Sequence, residues 1–455
     1  MQYIHNCLIY KLLFNNISAF PKREQRKISD CAQSSKAALS TLNNLLTNRF
    51  SSVIQNFEKI PDPRKKAAYS IGDILGGALS MFLLKTESRN CYNNLWREDR
   101  FRENIKSNLG FDLPHADTFD SVLRKISPSS IERIINSYVS RLIASKTFSK
   151  HRLLGEFYSV AIDATGICSF DHKHCDHCLT KTSKNGKVTY FHYVLEAKLV
   201  TRQGFSISIA SEFLENLEGR NYEKQDCEIK AFTRLTNKIK NAYPRLPICL
   251  LLDGIYPNQT VFDICKNKDW AFIITLKQES LKTFQRQIPN HPPPNTLSYK
   301  SKRGKYNIYD NYQYKNGLEY RGQIYSWTTC QQVKEHQDTK KQDINTFSYI
   351  TNINQDSTSI AVTVAYGRLR WKIENEGFNT QKNQGYKLEH KYSRKSFITL
   401  QNYYLILQIA HLINQFAIIS KPITRLLSEH SKVTIKDLWN NLKSGLKFID
   451  LTQLE

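Results

Sequence analysis

The spacing of apolar and polar residues changes character several times along the chain. Residues 1–50 are mixed and close on a Ser-, Gln- and Asn-rich stretch around Cys31 to Leu42, a composition that predicts a poorly ordered N-terminal segment. From about Phe57 the pattern turns helical. Ile71, Ile74, Leu75, Ala78 and Phe82 recur at helix spacing, and amphipathic stretches follow near Cys91 to Leu109 and Ile131 to Ser145. Residues 51–150 therefore read as an all-helical domain with clustered Arg and Lys. This is either a solvated basic face or a DNA-binding surface, although no helix-turn-helix signature stands out.

At Glu156 the period becomes two. Phe157 to Ile162 reads as a strand closed by Asp163, with Ala164-Thr165-Gly166 as a turn. Further strands are predicted near Tyr190 to Val200 and Phe205 to Ala210, and then a helix from Glu223 to Asn241 ended by Pro244 and Pro247. The unbroken apolar run Ile248 to Leu252 has the texture of a strand buried on both faces, and it ends on Asp253-Gly254. A helix from Asn258 to Lys268 and a strand from Ala271 to Leu276 complete an α/β layer. Pro292-Pro293-Pro294 then opens a Tyr- and Thr-rich segment, residues 281–354, whose alternation near Tyr306 to Tyr314 and Tyr320 to Thr329 predicts a β-rich insertion. Residues 355–420 return to helix and rejoin 151–280 as one core; 421–455 form a helical tail. The run Phe397 to Ile419 carries no formal charge. Gln401, Asn402, Gln408, His411, Asn414 and Gln415 interrupt it too often for a lipid-exposed span, so it reads as a buried helix.

Charge narrows the function classes. Lys and Arg number 65 against 41 Asp and Glu, a formal net charge of +24. Such an excess points to a polyanionic partner, nucleic acid before an anionic membrane surface. Residues Met1 to Phe20 resemble a signal sequence only faintly, because Lys11 splits the apolar run and no small-residue cleavage site follows. Ten cysteines in 455 residues make no dense disulfide framework. Both observations predict a cytoplasmic protein.

Two acids, Asp163 and Asp253, each close a strand, and strand carboxyl ends are where α/β sheets build sites. A third, Glu374, lies in Arg370-Trp371-Lys372-Ile373-Glu374, with Arg368, Lys382 and Lys387 nearby. Alone, an acid among cations reads as a salt-bridged helix surface. Placed after two strand-end aspartates in a basic chain, it also fits a metal-binding carboxylate where phosphates arrive. Three converging carboxylates need a cation between them, and all-oxygen ligands suit Mg²⁺ or Mn²⁺.

Asp163-Ala-Thr-Gly, Asp253-Gly, and Arg370-Trp-Lys-Ile-Glu-Asn-Glu followed by Phe378-Asn379, Lys382, Gly385-Tyr386 and Glu389-His390 resemble the DDE transposases of bacterial insertion sequences. The resemblance spans about residues 57 to 415. It implies an RNase H-like mixed sheet flanked by helices, with a β-rich insertion before the Glu helix. It implies a mobile-element endonuclease that binds double-stranded DNA at transposon ends and transfers strands into target DNA. Asp163, Asp253 and Glu374 match the catalytic triad, with a two-metal Mg²⁺ or Mn²⁺ site, and a homodimer in a synaptic complex is the expected assembly, cytoplasmic and nucleoid-associated. The spacing of Tyr366 and Lys382 departs from the signature by a residue, which keeps Glu376 as an alternative third ligand. After His390 the chain reads Lys-Tyr-Ser-Arg-Lys where this branch carries a Gly-His-Gly run. Arg370, Lys382, Arg368 and Lys372 are the expected phosphate contacts, and Trp371 is expected to pack its helix against the sheet.

Between the first two strands, His172-Lys-His174-Cys175-Asp-His177-Cys178 contains a Cys-x-x-Cys, one half of a structural zinc site. The resemblance suggests His192 and Cys227 as the other half, giving Cys175, Cys178, His192 and Cys227, with Asp226 and Glu228 close by. Reduced thiols without metal are the alternative. Two other functions fit the same chain: a catalytically inactive DNA-binding relic of a transposase, and an RNase H-like nuclease without strand transfer.

Overall fold

The computed structural model describes residues 22–51, 53–216, 226–394, 396–429 and 433–451. The leader-like run at Met1 to Phe20 lies outside them. Two compact units emerge, one from residues up to 138, 172–175 and from 379 onward, the other from residues 139–171 and 176–378.

The first unit is helical. Ile71–Leu83 starts on a capping box in which Ser70 and Asp73 satisfy each other's backbone N–H groups, and all but one of its residues are buried. Phe397–Ile418 is buried on nearly every side. Its polar residues have partners: Asn402 donates to the carbonyls of Leu123 and Ile126, each at 2.8 Å, and Asn414 to Tyr386 Oη at 2.9 Å. Gln381 Nε2 reaches Gln408 Oε1 at 2.8 Å. The amides that argued against a lipid span thus serve as internal fasteners, since a buried amide is costly only when unpaired. No single described helix is long and apolar enough to cross a membrane.

Two expectations change here. Lys22–Asn44 is a helix, although a poorly ordered segment was predicted to extend to residue 50. Ala38, Leu39 and Leu42 are buried, and Ser35 donates to the carbonyl of Asn441 at 2.8 Å, in the C-terminal helix Ile435–Phe448. That helix supplies the apolar partner that local composition could not reveal. Likewise, residues from 379 group with the N-terminal helices, where 355–420 were expected to belong to the sheet domain.

The second unit is built on a mixed sheet. Its strands are β1 (Tyr158–Phe170), β2 (Leu179–Thr182), β3 (Val188–Val200), β4 (Ser206–Leu214), β5 (Ile248–Leu252), β6 (Ala271–Thr275), β7 (Asn295–Arg303), β8 (Tyr306–Tyr320), β9 (Gln323–His336) and β10 (Gln342–Thr351). β1, β3 and β4 pair antiparallel, and β5 then β6 continue parallel to β1, giving the spatial order β4-β3-β1-β5-β6. This is the RNase H-like arrangement. β7 to β10 are the expected β-rich insertion; they do not fold apart but extend the same sheet, with β10 pairing antiparallel to β6. β5 is fully buried, as its apolar run implied. The helices Glu228–Ala242 and Gln259–Lys268 connect β4, β5 and β6.

Candidate active site

β1 and β5 run parallel with the register Tyr158↔Ile248 through Ala161↔Leu251. Continued by two residues, that register sets Asp163 level with Asp253 on neighbouring strands, and side chains level with each other in a parallel pair face the same way. Asp163 Oδ1 accepts the N–H of Ala164 at 2.9 Å. Asp253 Oδ1 accepts the N–H of Ile255 at 2.6 Å, so the carboxylate also shapes the turn that ends β5. At Gly254 a Cβ would lie 2.5 Å from Cε of Lys277, so the lysine side chain packs directly over the turn.

Glu374 is delivered by an irregular helix. Ile360–Gly367 is α-helical, Arg368–Arg370 tightens to a 3₁₀ turn, and Ile373–Asn379 widens to a π-helix. Such π segments recur at functional sites, since the extra residue per turn re-aims the side chains around it. Arg370 joins the acids. Its Nη1 donates to Glu374 Oε1 at 2.8 Å and lies 3.5 Å from Asp163 Oδ2, and its side chain is only 11% exposed. Glu376 takes another direction: it pairs with Lys372, and its Cγ lies near Gly204 in the β3–β4 turn. The geometry therefore gathers Glu374, rather than Glu376, with Asp163.

A fourth carboxylate completes the group. Glu228 opens the helix Glu228–Ala242, and Tyr256, three residues beyond Asp253, donates its hydroxyl to Glu228 Oε1. The Tyr256 N–H in turn donates to the Asp253 carbonyl at 3.2 Å. Glu228 lies close enough to Asp163 and Asp253 to act on both electrostatically. The sequence placed it beside the zinc ligands instead; a Tyr three residues past a strand-end Asp was its only local signal. Burial pushes the Asp163 carboxyl up to about 7 against the pull of Arg370, and Glu374 and Glu228 raise it further. Glu228 is likewise raised, first by burial, while the Tyr256 hydrogen bond opposes the rise. Partly buried carboxylates crowded into one niche are a donor set that suits a hard divalent cation.

The other expected residues are placed as follows. Arg370 is not an exposed phosphate contact: it is buried and bound to Glu374, because carboxylates this close need a counter-charge. Arg368 is exposed, with its guanidinium 4.2 Å from the Phe347 ring centre. Lys372 pairs with Glu376, and Lys382 with Glu389 at 2.7 Å. Trp371 does not pack against the sheet. It is 53% exposed, because the register that turns Ile373 and Phe378 inward turns Trp371 to solvent.

The candidate zinc ligands also change by one. Ligand atoms of His174, Cys175, Cys178 and His192 all lie within 4.8 Å of one another, and Cys178 Sγ is 3.5 Å from His192 Nε2. Cys227 is exposed at the N-terminus of its helix and is not among them; His174 stands in its place. A Cys₂His₂ set of this kind matches structural zinc chemistry.

Among known proteins, the family described as Transposase DDE domain matches residues 161–413, more than half of the chain. No curated protein matches it. A cryo-EM structure of piggyBac transposase in a synaptic complex with hairpin DNA is similar over 89% of this chain and 79% of that one, at 10% identity and a TM-score of 0.38, too distant to bear on residues. The family match begins inside β1, just before Asp163, ends inside the buried helix Phe397–Ile418, and takes in every acid gathered above. This chain belongs to the DDE transposase family.

Proposed function

We propose that the protein cleaves double-stranded DNA at the ends of an insertion sequence and joins those ends to target DNA, with Asp163, Asp253 and Glu374 as the catalytic triad. The observation that carries this reading is the β1–β5 register, which, continued by two residues, sets Asp163, inside the long strand β1, level with Asp253 just past the end of β5, with Glu374 tied to Asp163 through Arg370. The carboxylates would hold two Mg²⁺ or Mn²⁺ ions, which when bound supply an activated water or 3′-hydroxyl on one side and stabilise the leaving oxygen on the other.

The chain's own residues set up that chemistry. Arg370 offsets the charge of Glu374 and Asp163 and fixes their spacing. Tyr256 holds Glu228 toward the Asp253 turn, so Glu228 adds negative charge at the edge of the cluster. Arg368 and Lys372, from the same helical segment, would take DNA phosphates, as would Lys382, while Trp371, exposed but with the Arg370 guanidinium 5.0 Å from its ring centre, keeps ring surface for base contact. His174, Cys175, Cys178 and His192 would hold a structural zinc. Pairing two DNA ends implies a homodimer acting on chromosomal DNA in the cytoplasm.

The test is cleavage of a supercoiled plasmid carrying the element's ends. Asp163→Ala, Asp253→Ala and Glu374→Gln should each lower cleavage by at least about 10³-fold while leaving end binding intact. Glu228→Gln should slow it without abolishing it. Concerted two-end insertion products should form with the unmodified chain. Retained cleavage in all three triad variants would sink the assignment, and cleavage without insertion products would leave a nuclease.

A further inference from the structure

The helical unit contains a basic cleft of about 610 Å³, a volume typical of ligand sites. Four cations line it: Arg89 and Arg124 from the N-terminal helices, and Lys391 and Arg394 from the Lys-Tyr-Ser-Arg-Lys stretch that departs from the family pattern. Two acids face them, Asp117 and Asp120. The cleft therefore keeps a surplus of two positive charges.

Its construction is specific. Asp120, with a side chain only 3% exposed, accepts from Arg89 at 3.1 Å, from Arg124, and from the Tyr403 hydroxyl at 3.1 Å. One buried carboxylate thus holds two guanidinium groups in place at the cleft wall. His390 lines the same cleft. Its imidazole is held below its usual pKa, first by burial and then by the charges of Arg394 and Arg89. Like charges brought together around an open cleft raise the free energy of the empty protein, and an anion lowers it. The lining holds no Phe, Tyr or Trp ring, and its charged groups are chiefly cations suited to a phosphate.

We infer that this cleft binds a backbone phosphodiester of DNA without reading its sequence. The inference rests on the DNA-acting function proposed above, but it concerns binding and not the acids. It accounts for the basic stretch after His390, which the catalytic reading leaves unused.

The experiment uses the full chain carrying Glu374→Gln, without divalent metal, and a fluorescein-labelled 20-base-pair duplex titrated at several salt concentrations. Lys391→Ala with Arg394→Ala removes the two cations that are not held by Asp120 and so spares the buried network. This double variant should bind about tenfold more weakly near 0.1 M salt. Its slope of log affinity against log salt should be shallower by about 1, the amount expected for each lost phosphate contact. Arg394→Lys in place of the alanine should restore most of the slope, and melting temperatures should match. Wild-type affinity and slope in the double variant, with matched melting temperatures, would overturn the inference. So would unchanged duplex binding combined with loss of inorganic phosphate binding, since the cleft would then take free phosphate. Absence of duplex binding by the parent chain would overturn both this inference and the proposed function, whereas normal cleft behaviour with triad variants that still cleave would overturn only the catalytic assignment.

Discussion

Asp163 is partly buried beside Arg370, Glu374 and Glu228. Its carboxyl is raised from an ordinary 3.8 to about 7, chiefly by burial, so the folded state binds a proton there that the unfolded chain has already released. Between about pH 4 and pH 7 the folded form thus holds more protons, and stability falls as pH rises through that window and levels off above it. Denaturant unfolding without added Mg²⁺ or Mn²⁺ should show the loss, on the order of 2 kcal/mol. Asp163→Asn, which cannot ionise, should remove most of that pH dependence, with a remainder from Glu228, which is also raised by burial. A variant with the same pH profile as the parent chain would show that the acid cluster does not carry this pH dependence. A divalent ion reverses the logic, stabilising the ionised carboxylates and favouring higher pH.

Single elements show how closely the site is packed. The helix that leads to Glu374 lies so near the sheet that a Cβ on Gly367 would come within 2.7 Å of the Tyr349 ring and 3.0 Å of Ile273 Cγ2. Both residues sit in strands that pair with each other, β10 and β6, so neither can move away alone. Gly367→Ala should therefore destabilise the protein by about 1–3 kcal/mol and displace Glu374, which thermal unfolding and the cleavage assay would register together. Unchanged stability would mean the helix can shift freely. In the β1–β2 connection, His174, Cys175 and Cys178 gather with His192 of β3, where a zinc ion would act as a fastener. Protein purified without added zinc should carry about one equivalent, and a zinc chelator should lower its melting temperature while leaving that of Cys178→Ser unchanged. Less than a tenth of an equivalent would end the zinc reading.

Across the whole chain, the surplus of +24 is not spread uniformly in its uses. Some basic residues are internal structure: Arg370 is buried against carboxylates, and Lys198 is fully buried beside Glu196 on β3, 3.7 Å away. Others form concentrated surfaces, of which the cleft lined by Lys391 and Arg394 is the most definite. Net charge alone indicates a polyanionic partner but cannot say which cations meet it.

The periodicity of the chain was enough to recover the start of β1, the buried β5 that ends at Asp253, the β-rich insertion and the buried helix from Phe397, because each is specified by its own local apolar pattern; the turn expected at Ala164 to Gly166 is instead strand, since β1 runs on to Phe170 in pairing with β3. The motif around Glu374 pointed to the family for the same reason, being a contiguous run of residues. Which residues meet across the sequence was settled only in three dimensions. A π-helical segment brings Glu374 to Arg370 and Asp163 while Glu376 pairs with Lys372, and Glu228 joins the acids through a tyrosine 28 residues away. His174 replaced Cys227 among the candidate metal ligands, and the N-terminal helix found its apolar partner more than 400 residues along the chain. Local pattern determines which elements form, whereas partners distant in sequence depend on packing, and no short stretch of residues encodes that packing by itself.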